Sequence, residues 1–234
     1  MNENMPDVPT PVGGPTPVMQ TWIKALTKPS EQTFVEIASS PNAKATTAYL
    51  WVFVASLVQI FLTSLVQSRM MGTYMEQLGL GSGFGDRGVA SVLTGAICGA
   101  PIGAAITTLF FAIGVFIVQW IAKMFGGRGT SDQLAYSMAA VSAPYSIIAG
   151  LVTLLAAIPY VGYCFSAILA IAGIYVFVLN VMAVKGVNQI SWGAAIGSLI
   201  IPGLVIGVLC ACLVGGLFAL LLPAIREAAP NLAP

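Results

Sequence analysis

Residues 133–184 read QLAYSMAAVSAPYSIIAGLVTLLAAIPYVGYCFSAILAIAGIYVFVLNVMAV, 52 residues without one Asp, Glu, Lys or Arg. A helix needs about 20 apolar residues to cross a hydrocarbon core of ~30 Å, so this stretch is long enough to cross twice. Pro159-Tyr160-Val161-Gly162 supplies a turn between the two passes. A bilayer offers no water to free backbone groups, so a spanning segment is a helix or part of a closed barrel. Barrel strands alternate polar and apolar side chains over about ten residues. This run is continuously apolar, which predicts helices.

Outward from it, the same signature recurs at 45–68, 88–122 and 186–225. Only 7% of the chain is charged, against about 25% in an average soluble domain. The predicted fold is therefore all-α, a polytopic membrane helix bundle of about five transmembrane helices. The spans fall near 48–66, 92–120, 138–158, 163–184 and 204–222. A loop is expected over 67–87. Pro101 either kinks the second span or marks a helical preface. In the last window, 190–201 is expected as an interfacial helix that breaks at Pro202-Gly203.

Ahead of the spans, 1–18 carries five prolines and is expected as a disordered tail. It lacks a basic stretch followed by an apolar one, so no cleavable signal peptide is expected. Segment 19–44 reads as two short amphipathic helices at the membrane surface. Trp22, Ile23 and Leu26 share one face and Phe34, Ile37 and Ala38 another, with Lys28-Pro29 between them. Ser30 is placed to cap the second helix and Pro41 to stop it. The membrane domain then occupies 45–227, and 228–234 form a C-terminal tail.

Short-loop cations set orientation. With the N-terminus in the cytoplasm, that side holds Lys24, Lys28, Lys44, Lys123, Arg128 and Lys185, and the other holds Arg69, Arg87 and Arg226. Six against three favours N-inside. The net charge of +1 leaves no basic stripe for phosphate backbones, so no nucleic acid partner is expected.

Several motifs have bland explanations. Gly83-Phe84-Gly85-Asp86-Arg87-Gly88 matches a dinucleotide fingerprint in letters only, because it links two membrane helices rather than a strand and a soluble helix. Gly126-Gly127-Arg128-Gly129-Thr130 lacks the spacing and Lys of a phosphate-binding loop; a tight turn ending in a Thr130 or Ser131 cap accounts for it better than an anion site. Cys98, Cys164, Cys210 and Cys212 lie in apolar windows, and with no histidine in the chain no metal or cofactor is expected. Small residues at four-residue spacing, Gly95, Gly99 and Gly103, then Gly203, Gly207, Ala211, Gly215 and Ala219, are expected to pack helices within the bundle, with a homo-oligomer seam as the sharper alternative. Gln59, Gln119 and Asn180 are the polar side chains within spans, suited to interhelical hydrogen bonds. No ionisable group, Ser–His pair or carboxylate pair lies inside the membrane, so no catalytic residue is expected.

Two stretches carry a family likeness. LTKPSEQTFVEIASSP (26–41), just before the first span, resembles the corresponding segment of Yip (Ypt-interacting protein) domain proteins, and GGRGTSDQLAYSMAAVSAPYSIIAGL (126–151) resembles that family's glycine loop and following helix. The resemblance implies a non-enzymatic membrane scaffold or adaptor in membrane organisation or traffic. Two departures are visible. The acidic Tyr-Gly-Pro motif of eukaryotic members has no counterpart, and the family's Gly-Tyr pair is Ala135-Tyr136 here. A small GTPase partner is expected only of a eukaryotic member, and the short tail suits a prokaryotic plasma-membrane member. The expected partners are membrane lipids and a protein on the cytoplasmic face. That face is expected to comprise Trp22, Phe34, Gly126, Gly127, Arg128 and Asp132. A small-solute transporter or channel is the alternative.

Overall fold

A computed structural model describes residues 18–77, 89–156 and 161–205, together with positions 208 and 212. Its elements are α1 (Val18–Thr27), α2 (Glu31–Ala38), α3 (Ala45–Gln77), α4 (Val89–Met124), α5 (Ser131–Ala156), α6 (Val161–Asn188) and α7 (Trp192–Val205). Among the described residues there is no strand. Four helices are long and apolar enough to cross a membrane: Ala45–Val66, Leu93–Met124, Ser131–Leu155 and Cys164–Asn188. They alternate in direction, so the starts of α3 and α5 and the ends of α4 and α6 meet at one end of the bundle. The expected fifth span, 204–222, lies almost wholly outside the described residues, as do the 1–17 tail, the glycine tract over 79–88 and Gly207, Cys210, Ala211, Gly215 and Ala219.

Helix α5 sits at the centre, 44% of its span being buried against 17% for that of α4. Its sequence explains the position. Ala135, Ala139, Ala140, Ala143 and Ala149 are all buried, and small side chains let helix backbones approach where lipid provides no hydrophobic drive. A Cβ at Gly150 would lie 3.0 Å from the Cα of Gln59 on α3. The outward faces carry Leu109, Phe110, Phe116, Ile171 and Ile174, all strongly exposed. Such a continuous apolar exterior is stable only against lipid.

The structure corrects several sequence expectations. Helix α3 runs on through Gln77, past the loop expected at 67. Polar residues there take the chain out of hydrocarbon, but no proline stops the helix. Helix α4 holds Pro101 within it, as a kinked span would, whereas α7 is helical across Pro202-Gly203, where a break was expected. Each proline deletes one N–H donor; in lipid the neighbouring backbone groups have no water to turn to, so the helix persists. Helices α6 and α7 are parted at Gln189, whose φ of 56° lies in the left-handed region and whose N–H donates to Lys185 O at 2.7 Å.

The glycines of α4 are unevenly packed among the described residues. Gly103 does pack, with a Cβ there 3.0 Å from Ile60 Cδ1, but Gly95, Gly99 and Gly203 meet nothing within 4 Å among the described residues. The buried small stripe is Ala96, Ala100 and Ala104, one position along. Gly95→Ala and Gly99→Ala should therefore be neutral or raise stability by about 0.5–1 kcal/mol each, since glycine within a helix costs that much backbone entropy. A thermal scan in mild detergent checks this, and a clear drop in midpoint would show that these faces are packed after all.

Candidate functional site

Two segments far apart in sequence meet at the end where α3 and α5 begin. The first is a helical cap made of α1 and α2. Ser30 caps α2, its Oγ accepting from Thr33 N at 3.1 Å. Phe34, Ile37 and Ala38 then project from one face at helical spacing into the bundle, and all three are buried. Close approach is possible because α6 carries Gly186, where a Cβ would lie 2.9 Å from Glu31 O and 3.3 Å from Phe34 Cβ. Polar ties surround this seat. Lys185 pairs with Glu31, Lys24 Nζ lies 2.5 Å from Glu36, and Tyr175 OH donates to Leu26 O at 2.7 Å. The Lys185 ammonium also sits 4.7 Å from the centre of the Trp192 ring. On the α1 side, Trp22 meets Trp51 edge-on with ring centres 5.7 Å apart, and Trp51 lies 4.7 Å from Tyr136.

The second segment is the loop from α4 to α5. Gly126, with φ of +85°, ends α4 as no residue with a Cβ would without strain. Its N–H donates to Lys123 O and that of Gly127 to Ala122 O, both at 2.9 Å, the paired bonds of a Schellman cap. The loop then lies against the end of α6. Arg128 N donates to Asn188 O at 3.1 Å. The buried side chain of Gln119 donates through Nε2 to Gly129 O at 2.6 Å and to Asn188 Oδ1 at 2.8 Å. Asn188 Nδ2 in turn donates to Val184 O at 3.1 Å. These two amides clamp the loop, and only glycine fits beneath them. A Cβ at Gly129 would lie 2.6 Å from Val187 Cγ1 and 2.7 Å from Val187 O. Thr130 and Gln133 close the loop with a reciprocal box: Gln133 N donates to Thr130 Oγ1, and Thr130 N to Gln133 Oε1.

Cap and loop face each other across a cleft of about 200 Å³. Val35, Ala38 and Ser39 line it from the cap, and Arg128, Gln133 and Gln189 from the other side. Arg128 is exposed and makes no ion pair among the described residues. The lining provides one cation and two amides, a set suited to binding rather than to proton transfer. Among the described residues no cluster of His, Cys, Asp or Glu could hold a metal ion.

Of the six residues expected on the interaction face, Gly126, Arg128 and Asp132 are exposed and Gly127 is half-buried. Phe34 is 0% exposed and Trp22 is half-buried against Trp51. Both anchor the cap from beneath rather than present themselves on its surface, because an aromatic ring gains more from burial at a wet end of the bundle than from standing in water. Gly129 falls in the loop motif read from sequence, whereas Asn188, Gly186, Gln133 and Gln189 were not singled out. The one signal for Asn188 was an unpaired amide at the end of a charge-free window, matching Gln119 at the end of another.

Four apolar spans with an amphipathic cap docked at one end define a multi-pass integral membrane protein of the helical-bundle class. Residues 23–214 match the Yip1 domain family model, and the chain belongs to that family. No curated protein and no solved structure matches it.

Proposed function

We propose that the protein is a non-enzymatic membrane scaffold or adaptor that presents the cap and the glycine loop to the cytoplasm as one recruiting face. The observation that carries this reading is the clamp. Gln119 and Asn188, 69 residues apart in sequence, bury their amides to fix a loop whose own side chain, Arg128, is turned outward. Burying polar groups is costly, and Gln119 Oε1 is left without a partner, so the Nε2 bonds that hold the loop offset that cost. In this reading the membrane is a prokaryotic plasma membrane with the N-terminus inside, supported by the excess of Lys and Arg at this end.

Affinity purification of the full chain from native membranes in mild detergent should recover a protein partner. Arg128→Ala with Asp132→Ala, both exposed, should cut its retention severalfold while leaving the protein folded. Unchanged retention would remove this face from the proposal, and robust saturable solute flux in proteoliposomes would replace it with the transporter alternative.

A further inference from the structure

We propose that the cleft between α2 and the glycine loop binds the phosphate diester of an anionic phospholipid, with Arg128 as the anchor. The cleft lies at the right depth. The spans at this end stop at Met124, begin at Ser131 and stop at Asn188, so Arg128, Gln133 and Gln189 sit where hydrocarbon gives way to headgroups. Trp120, Met124, Phe125 and Trp192 are exposed at the same level, as interfacial side chains are.

Charge points to the sign of the ligand. Among the described residues this end carries Lys24, Lys28, Lys44, Lys123, Arg128 and Lys185 against Glu31, Glu36 and Asp132. Two pairs cancel, Lys24 with Glu36 and Lys185 with Glu31. Among the described residues Lys28, Lys44, Lys123 and Arg128 then face only Asp132, and of these cations Arg128 alone lines the cleft. A guanidinium offers a planar fork that matches two phosphate oxygens at once. Gln133 adds a donor: its carbonyl oxygen accepts from Thr130 N, which leaves its amino group for a ligand.

The C-terminal ends of α2 and α6 also flank the cleft, at Ala38, Ser39 and Val187. Helix C-termini carry a partial negative charge of about half a unit, fading within a turn. That is weaker than the full charge of Arg128, and carbonyls there suit the hydroxyls of a glycerol headgroup. An acidic protein segment would use the same arginine, but nothing in its chemistry requires a site at this depth. A lipid headgroup is delivered there by the bilayer itself.

This inference stands apart from the recruiting role, because it concerns the purified chain alone. The test is native mass spectrometry of the full chain in mild detergent with phosphatidylglycerol or phosphatidylcholine added. Phosphatidylglycerol should be retained in preference, and Arg128→Gln should weaken it about tenfold. Lys28→Gln, exposed and outside the cleft, should bind as the natural protein does. An unchanged thermal midpoint for Arg128→Gln shows that the fold is intact. Equal retention of the two lipids, or no effect of Arg128→Gln, overturns the proposal. So does displacement by millimolar inorganic phosphate, which would make the site one for the free anion. Arg128-dependent binding of a polyglutamate peptide without lipid preference would assign the cleft to a protein partner instead. Loss of partner retention with lipid binding preserved, or the reverse, separates this inference from the recruiting role.

Discussion

Phe34→Ala should free the cap from the bundle while leaving the four spans assembled. Phe34 is fully buried among α2, α5 and α6, so its ring makes the apolar contacts that hold the cap. Truncating a buried Phe to Ala costs about 3–5 kcal/mol, from lost transfer energy and the cavity left behind. The polar ties cannot make up the difference. Glu31 and Glu36 are both substantially exposed, and ion pairs in that setting contribute about 0–1 kcal/mol. Backbone amides of 18–38 should lose hydrogen-exchange protection in detergent micelles, while those of α5 keep theirs. Glu31→Gln should reproduce only a small part of this. Comparable effects from the two variants would mean that the cap is held by charge, not by its apolar anchor.

The second large effect is expected at Gly129. A methyl group there meets Val187 Cγ1 at 2.6 Å, Val187 O at 2.7 Å and Asn188 Oδ1 at 2.9 Å, and two of these belong to backbone or to a clamped amide. The loop in Gly129→Ala must withdraw from α6. Gln119 Nε2 then loses Gly129 O, and Arg128 N loses Asn188 O. Each buried group left unpaired costs about 1–3 kcal/mol, so the total comes to about 3 kcal/mol or more. For a chain of this size that corresponds to a fall in thermal midpoint of about 6–12 °C. Arg128→Ala, one residue earlier but pointing outward, should leave the midpoint where it is. A Gly129→Ala protein as stable as the natural one would show that the loop has room to spare and that the clamp is weak.

The spans were legible because a bilayer imposes one simple demand, a long run without charge, and 133–184 meets it without interruption. The cap was legible for a local reason. Ser30, Phe34, Ile37 and Ala38 lie within one turn or two of each other, and their spacing carries the information. The Thr130 cap is of the same kind. What escaped depends on distance along the chain or on rotation. Gln119 and Asn188 come together from different windows, and no periodicity links them. In α4 the glycine stripe and the alanine stripe one position on are equally small, so composition does not say which faces inward. A one-residue offset turns a helix by about 100°, and packing against Ile60 and its neighbours decides it. Phe34 and Trp22 were expected on the outer face of the cap and lie on its underside, since an amphipathic pattern marks an apolar face without saying what covers it.

The cap's docking site has one more consequence, which concerns the order of synthesis. Glu31 emerges from the ribosome 154 residues before the Lys185 that receives it, and Gly186 and Val187 follow only then. At translation rates of about 5–20 residues per second the wait is on the order of ten seconds. During that time the newly made α1 and α2 lack the α6 part of their seat, although α5 and Trp51 of α3 already offer the rest. Val18, Met19 and Ile23 remain exposed on α1 even in the finished protein, and they give the waiting helices a means of resting on the bilayer. Lys185, Gly186 and Val187 of α6 are thus the last part of the cap's seat to be made, after those on α3 and α5.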